Sequence, residues 1–203
     1  KSPKSVKPLS NNQLKNMLLH GYNELIGKVL MKDEAGAIEV ALKLKNTLPE
    51  IQIQEAPDYS SLSTSRHSLR FLKKHAGHWL TALRPVQNDM GGMCLYYSAL
   101  QYLNGSAEGA ELLRLQCAVY LVLNKDELLD HCLKQRWKGS MCNNYNQYLL
   151  DTLYRKDFGD LMSMEVISRV LNIRIRSVMI ECDNVVPSSL VENNDIFGSS
   201  VQN

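Results

Sequence analysis

The stretch from Gly77 to Leu103, GHWLTALRPVQNDMGGMCLYYSALQYL, constrains this chain more than any other. Pro85 ends a predicted strand, Gly91-Gly92 permits a tight backbone turn, and a helix is predicted to open at Cys94. A thiol at a helix start meets unpaired backbone N–H groups and the positive end of the helix dipole, and both favour thiolate. His78 lies on the strand that leads into this loop. A histidine within hydrogen-bond reach supplies the base that a nucleophilic cysteine needs.

Composition narrows the function classes. A length of 203 residues suits one compact domain, or a domain with an appendage. With 44% hydrophobic and 22% charged residues, the chain is expected to bury an ordinary globular core. A net charge of +2, with no basic run interleaved with aromatics, gives no reason to expect a nucleic-acid partner. The longest apolar run, Cys117 to Leu123, is too short to span a bilayer, so no membrane partner is expected. The five cysteines show no paired spacing and read as reduced thiols in a cytoplasmic setting. His131, Cys132 and Cys142 lack a CxxC pair, so no metal is expected there, and no cofactor is implied. The chain opens on Lys1 without a signal-peptide pattern and reads as a fragment of something longer.

Taken in order, residues 1–9 form a basic end rich in Pro and Ser. Ser10 or Asn11 caps a predicted helix with apolar positions at Leu14, Leu18, Tyr22, Leu25 and Ile26. A second helix is predicted from Asp33 to Thr47, stopped by Pro49. Ile51 to Gln54 alternates as a short strand, and a hairpin is predicted from Leu69–Leu72 and Trp79–Leu83. Helices follow from Cys94 to Asn104-Gly105, from Ser106, and from Asn124 to near Trp137. Two more are expected, from Tyr145 to Tyr154 and after Asp160, and then a strand over Ile173–Glu181. The tail from Asn184 is polar and weakly patterned.

A free cysteine is most often a small buried hydrophobe, and Cys117, Cys132 and Cys182 read that way. Cys94 differs through its glycine turn and helix start. His20, His67, His75 and His131 read as surface or satisfied core residues. His78 stands between Gly77 and Trp79 on the strand entering the cysteine loop.

Gly92-Met93-Cys94-Leu95-Tyr96-Tyr97 resembles the cysteine motif of the ovarian-tumour (OTU) family of deubiquitinases, where a Gly-x-Cys-Leu-(Phe/Tyr) stretch opens the central helix. Leu113-Arg114, Tyr148-Leu149, Phe158-Gly159-Asp160 and Ile173 to Ile180 follow the order of that family over residues 68–182. Two departures stand out. Gly91 occupies the position of the family's aspartate, with Asp89 upstream. No histidine follows His131, although the family places its His-aromatic motif after the last strand. Gly77-His78-Trp79 resembles that motif, as a circular permutation would leave it.

The resemblance implies an α+β (mixed α/β), papain-type cysteine protease fold, with a small central sheet flanked by helices. Residues 55–203 would be the catalytic domain, and 1–54 an N-terminal helical arm that binds ubiquitin. Cys94 is the expected nucleophile, His78 the base, and Asn88 or Asp89 the group that orients it, with Asp89 taken as the third catalytic residue. The Gly91–Cys94 backbone would hold the oxyanion. The implied activity is hydrolysis of isopeptide bonds after the C-terminal glycine of ubiquitin or polyubiquitin, by a monomer, in the cytoplasm or secreted by a bacterium into a host cytosol. Two alternatives stay open. One is a Ulp/adenain-type protease for ubiquitin-like proteins, whose His-Trp and Gln…Cys pattern Gln87 and Cys94 resemble. The other is a catalytically inactive ubiquitin-binding module.

Overall fold

The computed structural model describes residues 10–75, 85–88, 91–134, 141, 144–154, 160–183 and 186–197. Its first element, α1 (Asn11–Leu30), starts where Ser10 and Gln13 form a capping box. Asp33 caps α2 (Glu34–Thr47) by accepting from the N–H of Gly36 at 2.9 Å. The two helices form a hairpin, as their periodicity predicts. Gly21 lets them close, since a Cβ there would lie 2.9 Å from a Leu44 methyl.

The element at the centre is α5 (Ala110–Leu123), which buries residues on nearly every face, Leu113, Leu115, Ala118 and Leu121 among them. A helix apolar all round belongs inside a bundle. Around it pack α1, α2, α4 (Cys94–Asn104), α6 (Lys125–Lys134), α7 (Tyr145–Tyr154) and α8 (Leu161–Leu171). Leu25, Ala41 and Leu44 of the N-terminal hairpin share one continuous core with Leu100, Leu128, Leu149 and Ile167. Asn144 caps α7 through Gln147 N–H, and Asp160 caps α8 through Ser163 N–H at 2.9 Å.

The expected mixed α/β fold with a small central sheet is overturned: the described residues are mostly helical. Among them the only sheet is a two-stranded antiparallel hairpin, β1 (Ile175–Asp183) with β2 (Val186–Phe197), set against α8 and α3 (Arg66–His75). The physical reason lies in α5. Its all-round apolar surface is satisfied by helices, which leaves the centre no face for a sheet to cover.

Local expectations shift with it. Leu69–Leu72 lies in α3 and not in a strand, because Ser65 caps that helix, its hydroxyl accepting from Ser68 N–H at 3.3 Å. The partner strand expected over Trp79–Leu83 lies outside the described residues. Ile51–Gln54 is irregular. Its backbone is held by a side chain, with Gln54 N–H donating to Asn104 Oδ1 at 3.1 Å and Asn104 Nδ2 donating to Gln52 O at 2.9 Å. Gly105 ends α4 at φ 68°, where a Cβ would fall 2.0 Å from the carbonyl oxygen of Asp58.

Candidate functional site

Cys94 is the first residue of α4, preceded by Met93 in the cap position without a capping side chain. Its side chain is half-buried, whereas Cys117 and Cys132 are fully buried. Burial pushes the Cys117 thiol well above its ordinary range, opposed in part by the charge of Arg114. Of these three cysteines, Cys94 is the one that is not buried. The turn before it is tight: Cys94 N–H donates to Gly91 O at 3.0 Å. That donor, expected to face an oxyanion, is therefore spent inside the turn. A Cβ on Gly91 would meet nothing within 4 Å, so packing does not demand glycine there.

Asn88 holds the start of α4. Its side-chain amide donates to Cys94 O at 2.5 Å and to Ser98 Oγ at 2.7 Å. The amide thus braces the first turn of the helix from outside. Gln87, Asn88, Tyr97 and Gln101 line a shallow polar depression of about 160 Å³ beside it. The approach of Asn88 is fixed by a short bridge, in which Gln87 N–H donates to Ser63 O at 2.7 Å and Ser65 N–H to Pro85 O at 2.9 Å.

Behind the turn lies Arg114 of α5, with no exposed surface. Its guanidinium donates to Gly92 O, to Thr152 O, and to Asp151 O at 3.0 Å. Sequence reasoning gave this arginine no role beyond the motif order. One signal was present: it is the lone charged residue between Leu112 and Leu123.

Cys94 opens α4, where the sequence places a helix start, and Asn88 holds the first turn of that helix. His78 and Asp89 lie outside the described residues. Among the described residues no three His, Cys, Asp or Glu side chains come together as a metal site, and no helix is long and apolar enough to cross a membrane. The chain matches no family model, no curated protein and no solved structure.

Proposed function

We propose that the chain is a thiol-dependent hydrolase with Cys94 as nucleophile, acting on isopeptide bonds after the C-terminal glycine of ubiquitin. The observation that carries the reading is Cys94, only partly buried at the first position of α4, while Cys117 and Cys132 are sealed in the core. The Gly-Met-Cys-Leu-Tyr stretch around it supplies the substrate class by resemblance. With the papain-type sheet overturned, this support is local to the turn.

In this reading the Cys94 sulfur attacks the glycine carbonyl and forms a thioester. His78 takes the thiol proton and returns it to the departing lysine amine; water then releases the carboxylate. A free-thiol nucleophile suits the reducing cytoplasm. A ubiquitin probe bearing a C-terminal electrophile tests the reading directly. The expected result is a covalent adduct mapped to Cys94 and lost in Cys94→Ala, with Cys117→Ala still reacting. No adduct on folded wild-type protein would overturn it.

One observation favours a second reading, a ubiquitin-binding module without catalysis. The Cys94 N–H is engaged by Gly91 O, which removes an oxyanion donor worth about 3–4 kcal/mol in acyl-transfer enzymes. Binding of unmodified ubiquitin that survives Cys94→Ala, without chain cleavage by wild type, would select it.

A further inference from the structure

Arg114 heads the fully buried side chains by volume. A guanidinium is a permanent cation, and taking one out of water is unfavourable unless its donors are filled and its charge is answered. The donors are filled by neutral groups. Nε donates to Thr152 O, Nη2 to Asp151 O at 3.0 Å, and Nη1 to Gly92 O and to Met93 Sδ at 3.2 Å. The Tyr96 ring stacks on the group, 5.2 Å from centroid to Cζ. Among the described residues no carboxylate pairs with it.

The two α7 carbonyls explain one side of the fork. They belong to the last turn of α7, where a helix leaves carbonyls unbonded and its dipole is negative. The other side needs a different reason. Nη1 grips the two residues that immediately precede Cys94, and Tyr96 lies two residues beyond it. A methionine or leucine would fill the same space without the charge. The cation is kept where the nucleophile's turn is built.

We infer that Arg114 is the positioning residue of the Cys94 site: it pins the Gly92–Met93 turn to the end of α7 and places its cation beneath the turn that carries the thiol. The inference rests on Cys94 being the nucleophile. A buried charge acts on its neighbours with little screening, so it favours approach of negative charge to that sulfur.

The test compares alkylation of Cys94 by iodoacetamide, which is neutral, and by iodoacetate, which is anionic, with the modified residue mapped by mass spectrometry. A merely structural residue would alter both rates alike. Arg114→Met is expected to lower the iodoacetate-to-iodoacetamide rate ratio by about threefold or more, and Arg114→Lys to retain most of it. An unchanged ratio in a folded Arg114→Met protein overturns the inference. Should that variant lose its cooperative melt, the wild type decides. The Arg114 Nε–Hε NMR signal is expected to move when Cys94 is carboxymethylated, and a signal that stays in place overturns the inference. Neither readout needs ubiquitin, so a failed ubiquitin adduct and a failed charge effect remain separate results.

Discussion

The side-chain amide of Asn88 donates to the carbonyl oxygen of Cys94 at 2.5 Å and, four residues along the same helix, to Ser98 Oγ at 2.7 Å. One amide therefore fixes both ends of the first turn of α4. Asn88→Ala removes both bonds and should cost about 1–3 kcal/mol of stability, at about 0.5–1.5 kcal/mol for each, in chemical denaturation. Asn88→Asp should cost more, because a carboxylate has no proton to give a carbonyl. Equal stability of Asn88→Asp and wild type would mean that the amide does not brace the helix.

His78 and His75 are close in sequence and differ in context. His75 ends α3, and only His78 carries the following tryptophan of the motif. His78→Ala should lower turnover on ubiquitin substrates by about 100-fold or more, the contribution typical of a general base. His75→Ala should leave turnover within about twofold, because His75 has no part in the proposed mechanism. Matching losses in the two variants would remove His78 from the mechanism.

The N-terminal hairpin divides into a buried face and an exposed one. Leu25 is fully buried against the helices around α5, while Ile38 and Leu42 are 40% and 48% exposed. Leu25→Ala should cost about 2–5 kcal/mol, as cavity-forming changes do, so removing the hairpin outright would strip the core. Ile38→Ser with Leu42→Ser should leave the melt nearly unchanged. If the hairpin docks ubiquitin, the same pair raises KM without changing kcat. An unchanged KM in the double variant would confine the hairpin to a structural part.

Helix starts were legible because caps are local: Ser10, Asp33 and Asp160 each accept from a backbone N–H three residues on. Ser65 does the same for α3, where the sequence pattern predicts a strand over Leu69–Leu72. Asn124 joins two helices: its amide donates back to Tyr120 O at 2.9 Å and closes α5, while its carbonyl accepts from Leu128 N–H at 3.0 Å at the start of α6. The polar run in β2 carries no strand alternation, and its pairing with β1 comes from register across the hairpin. The all-round apolar surface of α5 was present in the sequence, and it decided against a sheet. At the site, the place of Cys94 was legible from its glycines, but Arg114 was not. Its bonds reach from α5 to Gly92 and to Thr152, and no local pattern encodes such contacts.

The turn between α1 and α2 is one local source of pH-dependent stability. Lys28 Nζ lies 2.7 Å from Asp33 Oδ2, and Asp33 Oδ1 accepts from Gly36 N–H. The bond from Lys28, and then that from Gly36, hold the Asp33 carboxyl below its ordinary value of 3.8. The bond to Asp33, reinforced by its charge, holds Lys28 above 10.5. A lowered carboxyl stabilises the fold above its unfolded value, and that contribution vanishes as pH falls through the folded one. A raised amine contributes fully below 10.5 and loses its contribution as pH rises through the folded value. The pair therefore acts across the whole neutral range and fails at both extremes. In Asp33→Asn the amide oxygen can still cap α2, so the difference from wild type isolates the charge. Both side chains are more than a third exposed, so that difference should be modest and should shrink with added salt. Thermal melts of wild type and Asp33→Asn should be separated at neutral pH and converge as pH drops below 3.8. A separation that persists undiminished in acid would show that the variant acts through the cap and not through the ion pair.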